Sequence, residues 1–252
     1  MTSIKPMIVL IAAFFLGACA TSAETMKAEK ESNAHFKMGV SYLNDNSLQP
    51  AFLEFQKAVE LNPKDKQAHY YLGHVYFLQK KDPEAILEFE RVVKLDPDYS
   101  DAYNHAGVVY ETDGNLDSAL KSYQKALNNK AYEKPHFVHY NIAGIYLKQN
   151  KPKEAIAEYH EAINIDPGYF LAYRALGETY LRTNDRKQGV YFLEEASKLS
   201  PEDPVTHFRL GEVYQTEKMY QKADVEFKKV IALVPPESDL AKEAKKHLEG
   251  RR

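Results

Sequence analysis

A tyrosine returns at a fixed interval along this chain: Tyr42, Tyr76, Tyr110, Tyr146, Tyr180 and Tyr214 stand 34 residues apart, with a single step of 36. Each follows a small residue by three positions. Nine positions later comes another small residue, then an aromatic or leucine, and in all copies but the third a proline-containing turn. Self-similarity at this period predicts stacked helix pairs, because a unit this short cannot bury its own apolar face and must lean on the next. The expected fold is therefore all-α: a right-handed α-solenoid of six helix pairs, a superhelix with an extended inner surface.

The units follow one another with little left over. They run 32–65, 66–99, 100–133, 136–169, 170–203 and 204–237, with only Lys134 and Pro135 between the third and fourth. The segment 238–252 remains as a capping helix and tail, since Asp239, Leu240, Ala241, Ala244 and Leu248 among lysines read as one more amphipathic helix.

Packing can be read from the columns. Gly39, Gly73, Gly107, Gly177 and Gly211 recur inside the first helix of their units. A helical glycine costs roughly 1 kcal/mol relative to alanine, so its recurrence predicts close approach of the paired helix. Ala51, Ala85, Ala119, Ala155 and Ala223 are expected at that crossing, with Phe55, Phe89, Tyr123, Tyr159 and Phe227 beside it. Asn62-Pro63, Asp96-Pro97, Asp166-Pro167, Ser200-Pro201 and Val234-Pro235 close the second helices, because proline disfavours α geometry in the residue before it and has no amide hydrogen to donate. The third unit has Ala131 there and Pro135 four residues on, which predicts a longer third connection.

In these positions the chain resembles the tetratricopeptide repeat family over residues 32–237. His35, His69, Tyr103, His139, Tyr173 and His207 take the place of the family's frequent tryptophan, and Gly189 replaces an alanine in the fifth unit. The resemblance implies a protein–protein interaction scaffold, with the repeated histidines packed against a neighbouring helix.

The amino terminus points to the cell envelope. Lys5 precedes an apolar run from Met7 to Phe15 and then Leu16-Gly17-Ala18-Cys19. The run is short of the roughly 20 residues of a membrane-spanning helix but suits a secretory signal. Leu-Gly-Ala-Cys resembles a bacterial lipobox, which implies a lipoprotein signal peptide over 1–18 and an acylated Cys19; the alternative is an ordinary cleaved signal and a soluble periplasmic product. Cys19 is the only cysteine, so no internal disulfide can form. Several acyl chains would anchor the protein stably. By the same resemblance, Ala20 after the cysteine implies an outer membrane lipoprotein facing the periplasm. Residues 19–31 form the lipidated cysteine and a tether of at most about 40 Å, although Met26 to Glu31 would equally extend the first helix.

Composition and motifs exclude several functions. Lys+Arg 33 nearly balance Asp+Glu 36, and no basic cluster with interleaved aromatics stands out, so no nucleic-acid partner is expected. No enzyme is expected either: there is no glycine-rich phosphate loop, serine elbow or Cys/His nucleophile pair, and the acidic residues are expected at caps or on the surface. His136-x-x-His139 and the His69/His74 pair lack a cysteine or His-Glu-x-x-His context, so no metal is expected. Neither a cofactor nor a small-molecule substrate is implied.

The inner wall of such a superhelix is lined by the fifth, ninth and twelfth positions of each first helix. Phe36, Val40 and Leu43 come first, then Tyr70, His74 and Phe77, followed by Asn104, Val108 and Glu111. Tyr140, Gly144 and Leu147 continue the stripe, and Arg174, Glu178 and Leu181 precede Phe208, Glu212 and Gln215. The predicted partner-binding groove centres on Tyr70, His74, Phe77, Asn104, Val108, Glu111, Tyr140 and Leu147, with Arg174 and Glu178 beyond. Aromatic anchors there favour an amphipathic helix or an extended apolar segment of another protein. Family members that clamp a C-terminal carboxylate carry Lys and Asn where Phe36 and Val40 stand, which argues against that ligand class; the alternative is that the N-terminal segment covers these two.

A lipobox followed almost directly by six repeats is similar to the type IV pilus biogenesis and stability lipoproteins, the PilW, PilF and Tgl group. The local match is Asn104, Gly107, Tyr132, Pro135 and Asn141 around the irregular third junction. The resemblance implies assistance in assembling or localising a pilus secretin. The regular last two repeats leave open a generic periplasmic adaptor for cell-envelope or peptidoglycan machinery.

Overall fold

The structure is a computed structural model describing residues 6–250, with side chains described from Ala23 onward. Cys19 and the signal over 1–18 thus fall outside the residues whose side chains are described. Among the described residues there are thirteen helices and no strand.

They fall into two compact units, Met1–Asn129 and Lys130–Arg252. The first holds three hairpins: α1 (Pro6–Asn44) with α2 (Leu48–Leu61), α3 (Lys66–Leu78) with α4 (Asp82–Leu95), and α5 (Ser100–Thr112) with α6 (Leu116–Asn128). The second holds α7 (Pro135–Lys148) with α8 (Pro152–Ile165), α9 (Phe170–Arg182) with α10 (Arg186–Leu199), and α11 (Pro204–Thr216) with α12 (Tyr220–Leu233). Helix α13 (Asp239–Glu249) then packs on α12, burying Ala241 and Ala244, as the amphipathic pattern predicts. The third connection, from Asn128 to Pro135, is the long one. Residues 26–31 continue α1, so this part of the proposed tether is helical.

Side-chain caps mark the starts of α3, α11 and α13. Asp65 accepts from the amides of Gln67 and Ala68, Asp203 from Thr206, and Ser238 caps α13 through Ala241. At the turn inside every hairpin the backbone enters the left-handed region: Asn46, Lys80, Gly114, Asn150, Asn184 and Lys218 have φ of 54°, 59°, 80°, 57°, 65° and 59°. These positions share the 34-residue column. Asparagine and glycine suit them, whereas the two lysines hold a conformation that costs a β-carbon-bearing residue roughly 1 kcal/mol.

The close approach at the glycine column is to a ring, and this corrects the expectation that small residues meet there. A β-carbon at Gly39 would lie 2.7 Å from the Phe55 ring, and one at Gly211 2.7 Å from that of Phe227. The rings of Phe55, Phe89, Tyr123 and Phe227 are almost fully buried over these glycines. Repeat five is the exception. Leu193 stands in the ring column, and a β-carbon at Gly177 would meet the Gly189 carbonyl oxygen at 2.9 Å, so here two backbones touch.

The repeated histidines do more than pack. His35, His69, His139 and His207 each place Nδ1 against a glutamate nineteen residues on, in the second helix of the same hairpin. One of these, Glu88, is 7% exposed, which corrects the expectation that acidic residues lie at caps or on the surface.

Candidate functional site

In the first unit the predicted stripe on α3 and α5 centres on Tyr70. Its half-buried ring packs against Tyr71, Phe89, Tyr99 and His105, with centroids 5.5, 5.9, 5.4 and 5.2 Å away. The His105 Nδ1–H donates to the Asp101 carbonyl at 2.9 Å, with the Tyr70 phenol oxygen 3.2 Å from the same nitrogen. His74 lies edge-on to His105 at 5.5 Å. Burial, and then the neighbouring His105, lowers the pKa of His74, so this imidazole is neutral at pH 7. Burial likewise raises the phenols of Tyr70 and Tyr99, the latter to about 12. The cluster is aromatic and polar at its edges.

The other predicted residues of this unit divide. Phe77 is partly buried against the Phe89 cluster and Val108 keeps some exposure. Asn104 is only 8% exposed, and Glu111 accepts the hydroxyl of the core residue Tyr123 at 3.0 Å. These two hold the hairpin's interior. Phe36 and Val40 pack into the cluster around Phe55 and Leu72, with Phe36 edge-on to Tyr71 at 5.4 Å, so cover by a separate segment is not needed to account for them.

In the second unit the stripe begins with Tyr140, held between Tyr159 and Tyr169 at 5.6 and 5.4 Å, and Leu147 packs partly buried against the same cluster. Charge then takes over. Arg174 donates to Asp203 at 2.8 Å, and Arg209 bridges Glu178 at 3.4 Å and Glu212 at 2.8 Å. Burial acts to raise the Asp203 carboxyl, but hydrogen bonds from Thr206 and Arg174 outweigh it and hold it below the usual carboxylate range. Beyond lies a shallow cavity of about 380 Å³ lined by Phe208, Glu212, Gln215, Glu243, Lys246 and His247.

The positional rule omitted Tyr99, His105, Tyr169 and Arg209. Tyr99 and Tyr169 close their units in one column, a signal visible in the sequence; His105 lies one turn from Asp101 and had none. His136 and His139 do not form a joint site. His136 faces Asp166 at 3.7 Å and Tyr169, whereas His139 faces Glu158.

Within residues 54–132 and 143–184 these hairpins match tetratricopeptide repeats, a class of protein-interaction scaffold. A TPR repeat model matches residues 73–114 and 143–184, and tetratricopeptide repeat models match residues 54–87 and 100–132. Among solved structures the chain is similar to PilF of Pseudomonas aeruginosa, with a TM-score of 0.75 and 14% identity over 90% of this chain and 100% of that one. It is similar also to PilW, described as a widely conserved type IV pilus biogenesis factor, with a TM-score of 0.75 and 17% identity over 85% of this chain and 98% of that one. A curated relative, the TPR repeat-containing protein YpiA of Bacillus subtilis (strain 168), is 27% identical over 117 residues, 46% of this chain. That match spans only 27% of the length of YpiA.

Proposed function

We propose that this protein is an envelope-anchored scaffold that grips a polypeptide on its aromatic inner face and assists assembly or localisation of a type IV pilus secretin. The observation that carries the reading is the match to PilF and PilW along nearly their whole lengths, in a chain that also carries Leu16-Gly17-Ala18-Cys19. Acylation of Cys19 would tether it to the outer membrane, facing the periplasm. The partner would be an amphipathic or apolar segment, with the Tyr70, His74 and Phe77 cluster and the Tyr140 and Leu147 cluster as its anchors. Neutral rings desolvate with little loss and restrict few rotamers on binding.

Deleting the gene and following secretin multimers in membranes tests the pilus assignment; loss of multimers is expected, and intact multimers would remove it. Cys19→Ser tests the anchor separately. Release of the protein from the membrane fraction is expected, while a variant that stays membrane-bound would contradict lipidation as the attachment.

A further inference from the structure

The four histidine–glutamate contacts have Nδ1 to carboxylate distances of 2.6, 2.5, 2.7 and 2.6 Å in repeats one, two, four and six. Repeats three and five instead carry Tyr103 opposite Ser122 and Tyr173 opposite Phe192. In repeats two and six the imidazole is buried, His69 being 3% and His207 2% exposed. There the second ring nitrogen is engaged as well. Nε2 lies 3.0 Å from the Pro63 carbonyl oxygen in His69 and 2.8 Å from the Pro201 carbonyl oxygen in His207.

A neutral imidazole has one N–H and one lone pair, so it can satisfy only one of two acceptors. Between a carboxylate and a carbonyl, the lone pair of a buried ring would face oxygen lone pairs. The geometry is satisfied only with one more proton, either as imidazolium against carboxylate or as a carboxylic acid donating to Nδ1 while Nε2–H donates to the carbonyl.

We propose that His69–Glu88 and His207–Glu226 are proton-loaded clasps, each closing its helix hairpin only while it holds that extra proton, so that alkaline pH loosens repeats two and six and spares repeats three and five.

The surroundings fit this assignment. Glu226 and Lys229 face His207 from α12, with Lys229 Nζ 3.0 Å from Glu226. From α10, Glu194 is engaged by the Tyr214 hydroxyl at 2.5 Å, and Asp203 is occupied by Thr206 and Arg174. Glu88 and Arg91 face His69 from α4, Arg91 lying 3.3 Å from Glu88, and Asp65 caps α3. The bond to Glu226 raises the pKa of His207 against the opposing effect of burial. Burial acts to raise the Glu226 carboxyl, and the bonds from His207 and Lys229 hold it below its ordinary value. Both directions favour the imidazolium–carboxylate form of the pair in repeat six. A histidine with a raised folded pKa contributes stability that is complete below about 6.5 and is lost as pH rises through the folded value. Across that window the opening constant of the repeat-six hairpin rises about tenfold per pH unit.

The test is a titration of the ring nitrogens of ¹⁵N-histidine-labelled full chain between pH 5 and 10, assigned with H69Y and H207Y, alongside amide protection factors by hydrogen exchange. Both nitrogens of His207 should stay protonated above pH 6.5, while His74 and His160, whose pKa values burial lowers, lose a proton below it. Protection in α3/α4 and α11/α12 should fall about tenfold per pH unit where protection in α5/α6 is flat. Glu88→Gln and Glu226→Gln should abolish that dependence. Ring nitrogens of the unaltered protein that titrate at or below 6.5, with flat protection, would overturn the proposal, and this holds even if the glutamine variants do not fold.

Discussion

The inner faces of the two units are built from the same repeat and solve opposite problems. In the first, His105 lies edge to face with Tyr70 and His74, Tyr99 packs tilted against Tyr70, and His74 is neutral at pH 7. In the second, Arg174 and Arg209 are taken up by Asp203, Glu178 and Glu212. A stack of rings still offers apolar area and hydroxyl edges to a newcomer, whereas charges already matched to each other must be desolvated and separated first. The contrast teaches that position in the repeat selects which side chains face inward, and their mutual pairing decides what they can still bind.

The buried ring column gives the largest effect. Phe227→Ala in the second unit and Phe89→Ala in the first should each cost about 3–5 kcal/mol, since both rings are almost fully buried over a glycine. Urea unfolding checks this, and a loss under 1 kcal/mol would show that the columns are not the equivalent cores described.

Asp203→Asn probes the charged face alone. It removes a carboxylate that accepts from Arg174, the Thr206 amide and the Thr206 hydroxyl, for a loss of about 2 kcal/mol at pH 7. Because the folded carboxyl is held low, its contribution is present above about pH 4 and disappears as pH falls through the folded value. The stability gap between D203N and the unaltered chain should therefore close in acid. A gap independent of pH would contradict the assigned pairing.

Glycine substitutions sharpen the comparison further. At Gly177 a β-carbon meets a backbone oxygen that cannot swing away, so Gly177→Ala should destabilise by about 1–2 kcal/mol after its gain in helix propensity. At Gly73 the nearest atoms, at 3.0 and 3.2 Å, belong to the Phe89 and Glu88 side chains, and Gly73→Ala should be close to neutral by thermal melting. Equal effects would deny that repeat five packs differently.

The smallest expected effect is a gain. Lys218→Gly relieves the left-handed turn at φ 59° and should stabilise by about 0.5–1 kcal/mol, as should Lys80→Gly in the first unit.

The period, the six hairpins, the long third connection and the final amphipathic helix were all legible in the sequence, because each follows from columns or from proline and cap chemistry. The inner-face rule put Tyr70 and His74 on one side of α3 because helical periodicity aligns positions four apart. It did not foresee the burial of Asn104 or the bond of Glu111 to Tyr123, and it passed over Tyr99 and Tyr169, which enter from the connection between repeats. The histidine column was visible as a repeat, but its glutamates nineteen residues away were not read with it. A contact across a hairpin depends on the crossing of two helices, and the period of either helix alone does not encode it.

The central claim is that the aromatic face around Tyr70 and His74 in the first unit holds the partner polypeptide. It is tested most directly by a photo-crosslinking residue placed at His74 in the full-length protein in its native cells, with the exposed Leu87 on α4 as the comparison position. The account predicts one discrete adduct from position 74, lost when Tyr70→Ala is added to a chain that still folds. An adduct from position 87 with none from 74, or one that survives Tyr70→Ala unchanged, would contradict it.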